Sequence, residues 1–166
     1  MLLYVVRHGI AIAHDDPKCP SDPERYLTEE GIEKTRQVAK GVATLGTVPD
    51  LLLTSPYVRA LQTAEIFARA LDYPRAKIRQ TDLLLPGSEA SAFFRELAKN
   101  KQSAAILCFG HGPQVDDLVA APLGAKQHVT ALKKAGVAVL DLKKISPPSG
   151  ELVWLATPKM LRAVGK

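Results

Sequence analysis

Arg7, His8, Arg59 and His111 are the side chains of this chain best suited to gripping and attacking an anion. Each follows an apolar run. Arg7-His8-Gly9 ends Leu2–Val6, Arg59 comes shortly after Leu51-Leu52-Leu53-Thr54, and His111 follows Ala104–Phe109. Two guanidiniums and two imidazoles gathered in one volume make an anion site, and a neutral imidazole is a nucleophile near pH 7 because its ordinary pKa is about 6.5. Gly9 and Gly110 let the backbone turn sharply or approach a ligand. Taken singly, each residue has a plainer role: a strand-end histidine is commonly a structural hydrogen-bonding group, and the arginines could cap a surface or face solvent from a helix. The joint pattern is what points to chemistry.

These residues converge only if the elements before them lie side by side. Short apolar runs alternate with longer periodic ones, which predicts an α/β domain of three layers, α/β/α, around a mostly parallel sheet. Leu2–Val6 reads as a buried strand, and the loop with Pro17, Pro20 and Pro23 as irregular. Thr28 is a candidate N-cap for a helix reaching about Leu45, with Ile32, Thr35, Val38, Ala39, Val42 and Leu45 on its inner face. Leu51–Thr54 is a second strand, and Ser55-Pro56 reads as the start of a helix whose stripe is Ala60, Ala64, Phe67 and Leu71. A short strand at 77–80, a helix over 88–99, the strand 104–109 and a helix opening near Gly112-Pro113 follow. Residues 136–142 and 152–156 read as a closing hairpin that turns through Pro147, Pro148, Ser149 and Gly150. In an open sheet of parallel strands, ligands bind beyond the carboxyl ends, where Arg7, His8, Arg59 and His111 would meet. Helix N-termini behind Ser55 and Gly112 would add backbone donors.

Composition sets the bounds. The chain has 166 residues, 46% hydrophobic and 23% charged, which fits one folded domain over 1–166 and not a disordered chain. The first apolar run stops at Arg7-His8, too early for a signal peptide, and no stretch approaches the ~20 apolar residues of a membrane span. A soluble, cytoplasmic protein is the expectation, with no membrane partner. Cys19 and Cys108 stand alone, without metal-ligand spacing, and fit a reducing compartment. No cofactor and no metal are expected, since the four clustered ligands of structural zinc and the acidic cluster of a magnesium site are both missing. The formal charge is +5, and after Gly124 eight Lys/Arg face only Asp141 and Glu151. That basic end could attract an acidic partner or nucleic acid, though solvated lysines are the plainer reading. Aromatic residues are 5%, too few for a base-stacking surface, so nucleic acid is not expected.

Val6-Arg7-His8-Gly9, the string Thr54-Ser55-Pro56-Tyr57-Val58-Arg59-Ala60-Leu61-Gln62-Thr63-Ala64 and Gly110-His111 strongly resemble the histidine phosphatase (phosphoglycerate-mutase-like) superfamily. Arg-His-Gly alone is a weak signal, and the long string at this distance is a specific one. The resemblance spans nearly the whole chain. It implies that His8 becomes phosphorylated, and that Arg7, Arg59 and His111 hold the phosphoryl oxygens, with Gly9 beside them. Within the superfamily the chain is most similar to the small SixA-type phosphohistidine phosphatases. The length leaves no room for large enclosing insertions, and Ala11 stands where many ester phosphatases place a threonine. An open site of this kind would accept a phosphorylated side chain of a signalling or phosphotransfer protein.

The family's ester phosphatases protonate the leaving alkoxide with a carboxylic acid from mid-chain. Here Glu89 is the first candidate and Asp82 the second, and the plain alternative is that Glu89 complements a helix dipole. A phosphohistidine substrate lessens the need for such an acid. His14 and His128 read as loop or surface residues, His14 with a place at the rim. Two other functions stay open: a phosphatase of small phosphate esters with the same mechanism, and a phosphate-binding module without turnover.

Overall fold

The computed structural model describes residues 1–100 and 102–166. Its strands are β1 (Leu2–Arg7), β2 (Leu51–Thr54), β3 (Arg79–Gln80), β4 (Ala105–Gly110), β5 (Val137–Ile145) and β6 (Pro148–Ala156). Its α-helices are α1 (Glu29–Thr44), α2 (Val58–Ala70), α3 (Ala90–Leu97), α4 (Gln114–Ala120) and α5 (Pro158–Val164). The strands form one sheet in the order β3-β2-β4-β1-β5-β6. The first four are mutually parallel, whereas β5 runs antiparallel to β1 and β6 antiparallel to β5. The fold is thus α/β, with a mostly parallel sheet and a C-terminal antiparallel hairpin.

Side-chain alternation divides the core. Tyr4, Val6, Leu107, Phe109, Val137 and Val139 point to one face, where Val38, Ala39 and Val42 of α1, Phe67 of α2 and Leu161 of α5 cover them. Leu3, Val5, Ile106, Cys108, Ala138 and Leu140 point to the other, under Phe93, Phe94 and Leu97 of α3 and Val115, Leu118 and Val119 of α4. Central β4 is buried along its whole length, which is why its sequence is a continuous apolar run without alternation. Burial pushes the Cys108 thiol pKa strongly upward, so it behaves as a small apolar core residue.

Four local expectations are corrected. Ser55-Pro56 does not open a helix. α2 begins at Val58 with Tyr57 at the N-cap and no side-chain cap, and the Ser55 hydroxyl accepts from Tyr57 N at 3.3 Å and pairs with His111 Nε2. Leu45 is exposed at the C-terminal end of α1, whereas Leu71 is half-buried and packs against the core as its stripe predicts. The hairpin turns at Ser146-Pro147, and Pro148, Ser149 and Gly150 belong to β6. A proline is tolerated there because Pro148 opens an edge strand and owes no N–H to the ladder. The third helix is shorter than expected, and a 3-10 turn over Ala98–Asn100 ends it.

Candidate active site

Parallel pairing brings the strand ends together. Arg7 lies opposite Gly110 and Thr54 opposite Phe109, so β1, β4 and β2 finish within a residue of one another. Beyond the ends the ladder continues for one bond on each side: His8 donates its N–H to Gly110 O at 3.0 Å, and Ser55 donates to Phe109 O at 3.0 Å. His8 and Ser55 are thereby fixed by backbone hydrogen bonds, and His111 is held by its own carbonyl, which accepts from Val115 N at 2.9 Å.

His8 is 6% exposed, and its Nδ1 lies 2.7 Å from Gly9 O. A carbonyl only accepts, so Nδ1 carries the proton and Nε2 keeps the lone pair. The His8 pKa is lowered to about 3, chiefly by burial. The Gly9 carbonyl pulls upward, and His111, Arg59 and Arg7 push further down. The ring is therefore neutral near pH 7, the state a nucleophile requires. Gly9 is needed at its place because a Cβ there would come within 2.4 Å of Thr35 Oγ1. Its N–H donates to Thr63 Oγ1 at 3.0 Å, and that hydroxyl donates to Arg59 O at 2.7 Å. Both polar groups of Gly9 are thus spent inside the protein, holding His8 rather than facing a ligand.

The ring of His111 stands 5.1 Å from that of His8 and 5.3 Å from that of Tyr57. Its Nε2 shares a proton with Ser55 Oγ at 2.8 Å. Burial is again the main cause that lowers its pKa to about 3, followed by the charge of Arg59. Arg7 donates through one terminal nitrogen to Leu132 O at 2.7 Å, and its guanidinium packs against Gly112, where a Cβ would lie 3.0 Å away. Asp116 holds that loop in turn, accepting from Leu132 N at 2.9 Å and Thr130 Oγ1 at 2.7 Å. Arg59, 4% exposed on the first turn of α2, donates to Asp22 O at 2.6 Å and to Asp22 Oδ2 at 3.3 Å. Its guanidinium carbon sits 5.1 Å from the centre of the Tyr57 ring.

Nε of Arg7, Nε of Arg59 and Nδ1 of His111 are buried and have no partner among the described residues. Buried polar groups are ordinarily paired. Three such nitrogens on cationic or imidazole side chains around His8 suit a multiply charged oxyanion. Burial raises the Asp22 pKa, but hydrogen bonds from Arg25 and Arg59 and the charge of Arg59 outweigh it and hold the carboxyl below its ordinary range. Asp22 is therefore a carboxylate here. Among the described residues, neither carboxyl expected as a proton donor is hydrogen-bonded to His8 or His111. Glu89 is the exposed N-cap of α3, makes no capping bond, and lines a groove with Ser88, Pro113, Gln114 and His128. Asp82 is exposed in a 3-10 turn, and its carbonyl accepts from Ser88 Oγ at 2.8 Å. His128 pairs with Asp117 at 2.6 Å, and His14 sits exposed 3.7 Å from Asp22 Oδ1, at the rim. Among the described residues, no group of three or more His, Cys, Asp or Glu is placed to hold a metal ion.

Sequence reasoning missed Asp22, Arg25, Tyr57, Thr63 and Asp116 as parts of this site. Tyr57 and Thr63 lie inside the diagnostic string and could have been read from it. Asp22 and Arg25 sit in a loop without periodicity, and Asp116 acts through the distant segment that carries Leu132, so only packing brings them in.

Comparisons with known proteins agree with this geometry. An uncharacterised protein of Picosynechococcus is 35% identical over 167 residues, covering 97% of this chain and 99% of its own. The solved structure of the protein histidine phosphatase SixA complexed with tungstate superposes with a TM-score of 0.83 at 27% identity, covering 97% of this chain and 99% of that one. The mitochondrial serine/threonine-protein phosphatase Pgam5 of Drosophila pseudoobscura pseudoobscura is 31% identical over 110 residues, and the match spans only 37% of that longer protein. The family model for branch 1 of the histidine phosphatase superfamily matches residues 3–84, the stretch that runs from β1 through His8 and Arg59 to the turn after β3. The chain belongs to the histidine phosphatase superfamily, and its chemistry is that of a phosphatase.

Proposed function

We propose that this phosphatase removes phosphate from phosphohistidine on another protein, with His8 as nucleophile and no metal. One observation carries the choice of substrate: Asp22, the carboxylate bonded to Arg59, is held ionised by two arginines and offers no proton to a leaving group. An imidazole departs with the electron pair of a P–N bond far more readily than an alkoxide departs with that of a P–O bond, so such a site suits the first substrate and not the second. The likeness to SixA supports the same choice. The free cysteines, Cys19 half-buried and Cys108 buried, fit a reducing, cytoplasmic setting for such a protein.

In the first step Nε2 of His8 attacks phosphorus in line. The new N–P bond forms as the substrate's P–N bond breaks, and the departing imidazole takes a proton from water. Arg7, Arg59 and His111 bind the three oxygens that do not move, supplying the charge stabilisation on which phosphoryl transfer chiefly depends. The dianion offsets the arginine charges that depress His111, drawing a proton onto it. Water then attacks the phosphohistidine, His8 leaves as neutral imidazole, and inorganic phosphate is released.

The test is kcat/KM on a phosphohistidine peptide, an aryl phosphate and an alkyl phosphate, for the wild type and Glu89→Gln, with and without EDTA. The proposal expects rapid turnover of the peptide, near-inertness toward the alkyl ester, little effect of Glu89→Gln on the peptide and no effect of chelation. A second reading, hydrolysis of small alkyl esters, rests on the exposed carboxylate of Glu89, which makes no capping bond, in the groove beside Pro113. It requires fast alkyl-ester turnover that Glu89→Gln slows about 100-fold. Activity that vanishes with EDTA and returns with magnesium or zinc would refute the metal-free mechanism.

A further inference from the structure

Helices α1 and α5 lie side by side on the same face of the sheet, and a shallow trough follows their seam. Its inner part, about 480 Å³, is lined by Arg7 of the phosphoryl site together with Lys34, Lys133, Lys134, Lys159 and Arg162. Its outer part, about 630 Å³, shares Lys159 and Arg162 and continues to Arg36, Lys40 and Lys166. Basic side chains therefore recur along the trough from Arg7 to Lys166. Among the described residues the only acidic side chain in the lining is Glu33, which is taken up by Arg36 at 3.6 Å and by Gln37 at 2.9 Å. Lys34 is paired with Glu30, and Arg162 donates to Gln37 at 2.9 Å. Lys40, Lys133, Lys134, Lys159 and Lys166 are exposed and form no ion pair among the described residues.

We infer that this trough docks an acidic stretch of the phosphorylated protein, aligning it so that its phosphate reaches His8. The inference rests on the reading that the substrate is a protein. Clustered like charges over a concave, low-dielectric wall focus an attractive potential, within a Debye length of about 8 Å at physiological salt. Unpaired lysines at that density repel one another and invite a partner of opposite sign. An acidic polypeptide fits better than nucleic acid, because the lining carries no aromatic ring on which a base could stack. Arg7 at the inner end gives the direction: a ligand lying in the trough has one end at the phosphoryl site.

Two assays test it, using p-nitrophenyl phosphate and synthetic peptides with one phosphohistidine flanked by Asp/Glu or by neutral residues. Wild type should prefer the acidic peptide by about tenfold in kcat/KM at low salt, through KM, and the preference should fade as salt rises. Lys134→Glu/Lys159→Glu should abolish the preference, and the Gln/Gln pair should halve it on a logarithmic scale, with p-nitrophenyl phosphate turnover unchanged in both. An unphosphorylated acidic peptide should inhibit p-nitrophenyl phosphate turnover by wild type competitively and fail to inhibit the double variant. Preference and inhibition that persist in the variants overturn the trough. So does stronger inhibition by a single-stranded oligonucleotide of equal charge, which would make the trough a nucleic-acid surface. If neither phosphohistidine peptide is turned over while the small ester is, the phosphohistidine reading fails, and the inhibition assay still decides the trough on its own.

Discussion

The molecule has two cationic regions that meet at Arg7, and they are built on opposite principles. In the phosphoryl site Arg59 is almost fully buried, and Arg59 and Arg7 are tied down by Asp22 and by Leu132 O. In the trough, Lys134 and Lys159 are exposed, and neither forms an ion pair among the described residues. A fixed guanidinium in a low-dielectric pocket presents its donors in one geometry and is little screened by salt, whereas a solvated ammonium acts as a mobile point charge. The first kind suits transition-state stabilisation, and the second suits steering and loose docking. The contrast shows that the count of positive residues says little about a basic surface until their burial and anchoring are known.

The largest expected effect breaks the site alone. His8→Ala should lower turnover of every substrate by at least about three orders of magnitude while leaving acidic-peptide binding at the trough intact. Mass spectrometry that avoids acid should find the phosphate on His8 in wild type. A phosphate on His111, or an active His8→Ala, would end the mechanism. Next comes a test of anchoring. Arg59→Lys keeps the charge but loses the fork that spans Asp22 and the phosphoryl oxygens, and should reduce kcat by about 100-fold or more. Lys159→Arg, the reverse exchange in the trough, should change neither ester nor peptide kinetics beyond about twofold. Equal losses from the two swaps would erase the distinction between the regions.

The smallest effect concerns stability and belongs to the site's burial. His8 and His111 both have folded pKa values lowered to about 3 against an ordinary 6.5. The unfolded chain thus binds more protons than the folded one between those values, so stability rises with pH there. It is complete above about pH 6.5 and is lost as the pH falls from 6.5 toward 3. At pH 5 the cost is about 2 kcal/mol for each ring, read as a lower urea midpoint than at pH 7.5. Inorganic phosphate should offset part of it, since a bound anion favours protonated histidine. A midpoint unchanged between pH 7.5 and 5 would mean that the two rings are not buried as described.

Much of this was open to reading in the chain itself. Strands β1, β2 and β4 announce themselves as short Val/Leu/Ile runs because a parallel strand covered on both faces must be apolar at every position. The residues that end them, Arg7, His8 and His111, together with Arg59, stand out because polar groups of that kind are out of place against such runs. The diagnostic string added the family, and with it the expectation that these four meet. What the linear order did not reveal depends on which distant segments touch. Ser55 looked like a helix cap, since Ser-Pro has that local preference, and it is a partner of His111 only because β2 and β4 are neighbours. Asp22, 37 residues from Arg59 and inside an aperiodic loop, became its counter-ion through a contact that no local rule encodes. Glu89, a reasonable acid by position, is the exposed N-cap of α3 in a groove shared with Pro113 and Gln114, a placement set by the packing of α3 beside α4. The sequence by itself determined most of the element types and offered the histidines and arginines of the candidate site, because hydrophobic period and side-chain chemistry are local properties. The pairing of Asp22 with Arg59, the free lone pair on His8 and the trough beside Arg7 were decided by the tertiary structure alone, because burial, hydrogen-bond geometry and electrostatic coupling exist only once the chain has closed on itself.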